Sequence, residues 1–282
     1  MSKFVTKTSA LWAVALVFTL GTALYQRWSG PTYPLRGKIE LGASAGTRYK
    51  LKRSQGGSND HIVEIPSADP AVTGFVQWKR FKTSDDWTIV PLRAEQNVLR
   101  APLPGQPPAG KLEYRVTLAH GDKIQNLPET GTVVIRFKGE VPSFVLVPHI
   151  IFMFLALLLS ARTGLETIRT EPKLKNLTLA TLCALSLGGM LLGPLVQKYA
   201  FGAYWTGFPF GHDLTDNKTL FAFLGWVAGL YGVHRASRPK AWVLGAVLVM
   251  FSMYLIPHSM MGSELDYNKI DAEKQSQLKL VQ

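Results

Sequence analysis

Cysteine is almost absent from this chain of 282 residues, which contains only Cys183. A single cysteine excludes an intrachain disulfide, so the fold has to be held by packing and hydrogen bonds. Cys183 lies within an apolar run, where cysteine is typically a small hydrophobic residue rather than a reactive thiol. We therefore predict a buried and inert side chain at this position.

Charged residues are scarce over long stretches, although 18% of the chain is charged and 47% is hydrophobic. A helix needs roughly 20 apolar residues to cross a bilayer. Five runs reach or approach this length, and the first and fourth need their flanks to do so. The runs are Leu11–Tyr25, Phe144–Ala161, Leu177–Val196, Leu220–Val233 and Ala241–Met261. The sequence therefore predicts five transmembrane helices, with the lipid bilayer as one partner.

The first run has two interpretations. Lys3 and Lys7 precede a short apolar core, as in a signal peptide. However, the sequence after the core has no clean small-residue cleavage site, and Trp12, Tyr25 and Trp28 resemble interfacial anchors. We predict a retained N-terminal anchor over residues 1–29.

Basic residues outnumber acidic ones, 31 to 19, and many of them lie in short segments beside the apolar runs. Such residues favour the cytoplasmic side of a membrane. The relevant residues are Lys3, Lys7, Arg162, Arg169, Lys173, Lys175, Arg235, Arg238 and Lys240. The N-terminus is thus predicted to be cytoplasmic in the plasma (inner) membrane, with residues 30–141 and 263–282 extracytoplasmic. The polar segment has no basic cluster, so no nucleic-acid partner is expected.

Residues 30–141 lack long apolar runs and instead show short alternating segments. In "KLEYRVTL" every second residue is apolar, which is typical of a half-buried strand. Seven or eight such segments, separated by turn formers, predict an extracytoplasmic β-sandwich. The strand with Tyr114, a turn and a closing strand resemble the end of a fibronectin type III or immunoglobulin-like module. This resemblance implies an Ig/fibronectin-III-like sandwich inserted between helices 1 and 2 of a five-helix bundle.

Catalytic motifs are also missing. The sequence has no P-loop, no G-x-G-x-x-G and no H-E-x-x-H. "GASAG" at Gly42–Gly46 matches the G-x-S-x-G of hydrolases, but a strand-like segment follows it instead of a helix. We therefore read Ser44 as a turn residue and expect a protein that is more likely not an enzyme. His61 and His120 are predicted to be ordinary surface residues.

The third and fourth runs each contain G-x-x-x-G, with Gly189 and Gly193 in one and Gly225 and Gly229 in the other. Small residues one turn apart allow two helix backbones to approach closely in lipid. We predict that these two helices pack together, within a four-helix bundle over residues 142–262.

Histidine is rare, yet two of the six follow a proline inside an apolar run, His149 and His258. If the fifth helix ended at Met261, Pro257 would interrupt it and His258 would lie near the depth of His149. An aromatic outer loop over residues 199–218 adds His212, Asp213 and Asp216, and Glu264 follows the fifth helix. Alternatively, Asp216 or Thr215 caps the fourth helix.

Three interpretations of this group stay open. First, the protein is an accessory subunit of a bacterial envelope complex, binding partner proteins through its sandwich and aromatic loop. Second, it handles electrons or a metal: His149 and His258 hold haem b, or copper or another transition metal is bound, with Met260 and Met261 as soft ligands. The predicted metal ligands are His149, His212, His258, Asp213, Asp216 and Glu264. Third, the histidines line an ion path.

The first interpretation accounts for most features and is our main prediction. A membrane metalloenzyme built on His212, Asp213 and Asp216 is a lesser alternative. Covalent c-type haem is excluded because the sequence has no C-x-x-C-H.

Overall fold

A computed structural model describes residues 7–258, 260 and 262–281. The protein is a mixed α+β structure that divides into two compact units. One unit combines the described parts of Met1–Pro31 and Val141–Ser263, and it is helical. The other combines Thr32–Glu140 with the described part of Glu264–Gln282, and it carries the strands. Lys3, Met261 and Gln282, which the sequence predictions include, lie outside the described residues.

Among the residues that the structure describes, six α-helices and one π-helical segment build the helical unit. The helices are α1 (Thr8–Ser29), α2 (Ser143–Glu166), α3 (Leu174–Leu185), α4 (Gly193–Phe201), α5 (Leu214–Arg235) and α6 (Pro239–Leu255). The π-helical segment Ser186–Leu192 joins α3 to α4 without a break. Pro194 in the first turn of α4 has no amide hydrogen to donate, which favours a local change of hydrogen-bond pattern just before it.

Within the described part of the chain, three helices are long and apolar enough to cross a membrane. They are Thr8–Ser29, Ser143–Glu166 and Leu174–Phe201, and Pro239–Leu255 is a shorter apolar helix. Their outward side chains are apolar, with Val17 71% exposed. Cys183 is also exposed, so the prediction of a buried thiol was wrong. An apolar run does not distinguish a side chain that faces lipid from one that faces the bundle.

Glycines bring the helices of this unit close together, in the predicted pair at one of the glycines and in a different pair at others. A Cβ on Gly229 would lie 3.0 Å from the Cβ of Ala246, so this glycine faces α6 rather than the third helix. Gly225 faces α6 as well, through Val249. Only Gly189 matches the expectation, since Thr219 of α5 lies 2.7 Å from the site of its missing Cβ. The main close approach therefore joins α5 to α6.

Helix α6 ends earlier than the sequence predicted. Its last residue is Leu255, and Ile256 is extended with φ −72° and ψ 119°. Pro257 therefore follows the helix and does not interrupt it, because the residue before a proline avoids the α conformation. His258 lies in the segment after the helix, and Gly262 does not cap it.

In the described residues of the second unit, eleven strands form three sheets. They are β1 (Leu35–Lys38), β2 (Arg48–Leu51), β3 (Ser54–Gly56), β4 (His61–Pro66), β5 (Thr73–Arg80), β6 (Thr88–Pro91), β7 (Arg93–Glu95), β8 (Val98–Leu103), β9 (Lys111–His120), β10 (Lys123–Leu127) and β11 (Val133–Lys138). The largest sheet has the order β3-β11-β9-β5-β6, with β10 also paired to β9. The smaller sheets have the orders β1-β2 and β4-β8-β7.

The predicted strand "KLEYRVTL" is the centre of the largest sheet, as β9. Its apolar residues alternate with polar ones and are fully buried, in the pattern that the sequence showed. Tyr114 is among them, and its hydroxyl donates to the carbonyl of Lys52 at 2.8 Å. Ser44 lies in a single 3₁₀ turn, Gly42–Ser44, as expected of a turn residue.

His61 differs from its prediction, since it is 3% exposed and not a surface residue. Its Nδ1 lies 3.1 Å from Oε1 of Gln55. Burial, helped by the charge of Lys52 and opposed by Glu64, lowers the pKa of His61 to about 4. The imidazole is therefore neutral in the folded unit near pH 7. A strand-end position in the sequence did not indicate this burial.

The C-terminal tail is not a simple extension, because it forms α7 (Tyr267–Val281) in the strand-containing unit. Tyr267 is buried, and its hydroxyl accepts from the N–H of Lys111 at 3.0 Å and donates to Oε1 of Gln106 at 2.9 Å. Arg80 donates two hydrogen bonds to Asp271, at 3.0 and 2.7 Å. These contacts fasten the end of the chain to strands β5 and β9.

Candidate functional site

The aromatic loop connects α4 to α5 and spans residues 202–213. It begins where Gly202 ends α4 with φ 88°, a left-handed conformation that glycine adopts without strain. It ends where Asp213 caps α5. The Oδ1 atom of Asp213 accepts from the N–H of Thr215 at 2.8 Å. The sequence predicted Thr215 or Asp216 as the cap, but the cap is Asp213, two or three residues earlier.

Asp213 also binds the segment that follows α6. Its Oδ2 accepts from the N–H of Ser263 at 2.6 Å and from the Ser263 hydroxyl at 2.8 Å. Burial acts to raise the pKa of Asp213, but the hydrogen bonds from Ser263 and Thr215 outweigh it and hold the pKa below its ordinary value. The carboxylate is therefore charged near neutral pH and joins two chain segments.

Asp216 fixes the middle of the loop to the first turn of α5. Its Oδ2 accepts from the backbone N–H groups of Thr206 and Gly207, at 2.7 and 3.1 Å. Gly207 packs directly on this turn, since a Cβ there would lie 2.7 Å from the Cβ of Asp216. Glycine is thus required at 207 for the close approach of loop and helix.

Gln197 of α4 completes what we call the loop network: Gln197, Thr206, Asp213, Asp216 and Ser263. Its amide donates to the hydroxyls of Thr206 and Ser263, both at 2.8 Å. Three of the five, Gln197, Asp213 and Asp216, are buried, Thr206 and Ser263 are half-buried, and their polar atoms are engaged with one another. Such a satisfied buried network fixes a single conformation of the loop.

The same loop directs aromatic side chains outward. Phe210 is 82% exposed, Phe208 is 67% exposed and Tyr204 is 56% exposed. Trp205 donates from Nε1 to the carbonyl of Phe208 at 3.0 Å, which fixes the turn between them. A loop held by buried carboxylates therefore presents a rigid aromatic surface, formed by Tyr204, Phe208 and Phe210 of the loop together with Tyr199 of α4.

His149 lies in α2 and is committed to a contact inside the bundle. Its Nδ1 lies 2.9 Å from the carbonyl oxygen of Gly188. A carbonyl can only accept, so Nδ1 carries the proton in this arrangement, and Nε2 is the nitrogen with a lone pair. Gly188 belongs to the π-helical segment and packs on α2, where its missing Cβ would lie 3.0 Å from the Met153 nitrogen.

The other predicted ligands are dispersed. His258 is exposed in the segment after α6, and its backbone N–H donates to Oε1 of Gln26 at 2.8 Å. His212 is exposed in the loop. Glu264 belongs to the strand-containing unit, where its carboxylate contacts the ammonium groups of Lys82 and Lys111.

Among the residues that the structure describes, no three His, Cys, Asp or Glu side chains come together in a group able to hold a metal ion. The loop carboxylates Asp213 and Asp216 instead face hydroxyl and N–H donors. The metal set of His149, His212, His258, Asp213, Asp216 and Glu264 thus gains no support from the geometry. Haem ligation by His149 and His258 stays a prediction.

A second polar cluster, which the sequence reasoning missed, closes the other end of the helical unit. Glu166 is 1% exposed, and its Oε2 lies 2.7 Å from Nη2 of Arg162, which is one turn earlier in α2. Its Oε1 accepts from the N–H of Lys173 at 3.0 Å. Lys240 donates to the carbonyl of Arg169 at 2.7 Å. An arginine and a glutamate four residues apart are the only sequence signal for this cluster.

Searches with protein-family models, with curated proteins and among solved structures found no match to this chain. Function therefore has to be argued from the loop network, the aromatic surface and the helical unit themselves.

Proposed function

We propose that the chain crosses a membrane five times, through α1, α2, the continuous α3–α4 segment, α5 and α6. Helices α5 and α6 are not among the three helices that length and composition alone identify as membrane spans. With 22 residues α5 is about 33 Å long, and with 17 residues α6 is about 25 Å long, at a rise of 1.5 Å per residue. A hydrocarbon core is about 30 Å thick. Short flanking segments therefore suffice for α6.

The orientation follows from the basic loops. The connections α2–α3 and α5–α6 carry Lys173, Arg238 and their basic neighbours, which favours the cytoplasmic side. The aromatic loop and the strand-containing unit are then extracytoplasmic. We further propose that this unit is an Ig/fibronectin-III-like sandwich. Two observations support this proposal. The largest sheet and the smaller sheets share one buried core. The Tyr114 hydroxyl of β9 donates to the carbonyl of Lys52, which lies outside that strand.

Cysteine labelling tests this orientation. In a Cys183→Ser background, we expect a cysteine at Phe210 to react with a membrane-impermeant maleimide from the outside of intact spheroplasts. A cysteine at Arg235 should react only after the membrane is opened. Equal labelling of both positions in intact spheroplasts contradicts the proposed topology.

The protein is proposed to act as an accessory subunit of an envelope complex, in which the aromatic surface binds another membrane protein. The observation that carries this proposal is the contrast within one loop. Its backbone is fixed by buried carboxylates, yet Phe208 and Phe210 are exposed. Rigid aromatic side chains lose little conformational entropy on binding and are enriched at protein interfaces.

A photo-crosslinking amino acid in place of Phe210 tests the partner. We expect discrete crosslinked bands that contain a second protein. The matched control places the same amino acid at Tyr231, which is 62% exposed and lies at the end of α5 away from the aromatic loop. Crosslinks from position 210 to lipid alone identify the loop as an interfacial belt and overturn the proposal, as does an identical band pattern from position 231.

A further inference from the structure

A basic cleft opens at the end of the helical unit opposite the aromatic loop. Its volume is about 940 Å³, and it lies between the segment before α3 and the segment before α6. Four cations line it, Lys173, Lys175, Arg238 and Lys240, and no carboxylate is among its described lining residues. The nearest acidic residue in sequence, Glu171, is exposed on the α2–α3 connection.

The first residues of two helices line the same cleft. Helix α3 begins at Leu174 after Lys173, and α6 begins at Pro239 after Arg238. Neither of the preceding residues, Lys173 and Arg238, caps its helix with its side chain, although the N–H of Lys173 itself donates to the buried Glu166. The free N–H groups of a helix start carry a partial positive charge and favour anions. Two such ends add to the field of the four cations.

The cations have little else to neutralise them. In the described part of the chain, Lys173, Lys175 and Arg238 form no ion pair with a carboxylate. The ammonium group of Lys240 donates to the carbonyl of Arg169, a neutral acceptor. The buried carboxylate of Glu166 accepts from the N–H of Lys173 but is also paired with Arg162 and Arg169. A net positive potential therefore remains within the cleft.

One wall of the cleft is apolar. Val233 and Leu244 line it, and Leu244 is 44% exposed on α6. The apolar face continues along α6 to Leu248, which is 67% exposed. Cations at the helix ends, followed by an apolar strip along the helix, match a molecule with an anionic head and a hydrocarbon tail. A free phosphate ion would use only the first of these features.

We propose that this cleft binds the phosphate of an anionic phospholipid, with an acyl chain against α6. Basic pockets between transmembrane helices on the cytoplasmic side are known to take such head groups. The inference rests on the proposed membrane topology, and it adds a bound lipid that fixes the α2–α3 and α5–α6 connections relative to each other.

Native mass spectrometry of the full-length protein in detergent, titrated with phosphatidylglycerol or phosphatidylcholine, tests the site. The variant Lys175→Gln/Arg238→Gln removes two cations from the cleft. The matched control, Arg27→Gln/Lys198→Gln, removes two cations from the opposite end of the helices. Each cation near an anionic lipid contributes about fivefold, so the cleft variant should bind phosphatidylglycerol roughly 30-fold more weakly.

Support requires three results together: phosphatidylglycerol binds in preference to phosphatidylcholine, the cleft variant loses this preference, and the control variant keeps it. Equal loss in both variants, or no preference in the wild-type protein, overturns the proposal. Displacement of the lipid by inorganic phosphate below millimolar concentration also overturns it, because the ligand is then a soluble anion. A separate experiment, extraction of membranes with alkaline carbonate, tests whether the protein is inserted in the membrane. Release of the protein refutes the membrane topology itself.

Discussion

Asp216 provides a quantitative test of how the aromatic loop is held. Its buried Oδ2 is the acceptor for the N–H groups of Thr206 and Gly207, at 2.7 and 3.1 Å. The Thr206 hydroxyl donates to the same oxygen at 3.2 Å, and Asp216→Ala removes all three hydrogen bonds. Each hydrogen bond to a charged group contributes about 1.5–3 kcal/mol, and since the three share one oxygen and are not additive we expect a combined loss of about 3 kcal/mol.

Hydrogen–deuterium exchange of the full-length protein in detergent measures this loss locally. A decrease of about 3 kcal/mol in the free energy of loop opening speeds amide exchange roughly 100-fold. The increase should be confined to peptides that cover Thr206 and Gly207. Asp216→Asn, which keeps one carbonyl oxygen, should give a smaller increase.

The control for this experiment is Asp122→Ala, in the exposed turn between β9 and β10, which should leave loop exchange unchanged. If Asp216→Ala changes loop exchange by less than about threefold, the carboxylate does not fix the loop. The aromatic surface would then lack the rigidity on which the proposed function depends.

Three further outcomes are expected. The pKa of His61 is about 4 in the folded protein and 6.5 when unfolded. The free energy of unfolding is therefore higher by up to about 3 kcal/mol above pH 6.5, and this stabilisation is lost as the pH falls to 4. Urea denaturation should show this loss, and His61→Gln should abolish it. Tyr267→Ala should cost roughly 3 kcal/mol of tail docking and expose α7 to limited proteolysis, whereas Tyr267→Phe should stay largely protected. If His149 and His258 bind haem, the purified protein shows a Soret band that either alanine variant removes; a colourless protein refutes that alternative.

Local patterns allowed much of the fold to be predicted. The strand "KLEYRVTL" and the apolar runs of α1, α2 and α3–α4 are properties of neighbouring residues, because period and length are written in consecutive positions. Both appear in the structure close to where the pattern placed them. The end of α6 was misplaced by six residues because the apolar run continues to Met261, while the backbone leaves the helix before Pro257.

Long-range contacts were beyond this reasoning. The bonds between Arg80 and Asp271 join residues 191 positions apart. Nothing near either residue in the sequence indicates its partner. Asp213 similarly binds Ser263, 50 positions away. The candidate site therefore differs from the predicted histidine group: its carboxylates were identified, but their partners are hydroxyls and amides supplied by distant segments.

The pairing of α5 with α6 leads to a last prediction with an internal control. A Cβ on Gly232 of α5 would lie 2.6 Å from Cδ2 of Trp242, whereas a Cβ on Gly245 of α6 would meet no atom within 4 Å. Replacing a helical glycine with alanine stabilises a helix by about 0.5–1 kcal/mol where space allows. Overpacking costs about 1–3 kcal/mol where it does not.

Gly245→Ala should therefore raise the thermal unfolding midpoint in detergent, and Gly232→Ala should lower it. Both substitutions add the same methyl group to an apolar helix, so helix propensity and hydrophobicity are matched, and only the contact with Trp242 differs. If both midpoints shift in the same direction, α5 and α6 do not approach each other at these positions. The G-x-x-x-G glycines of α5 would then need a different packing partner.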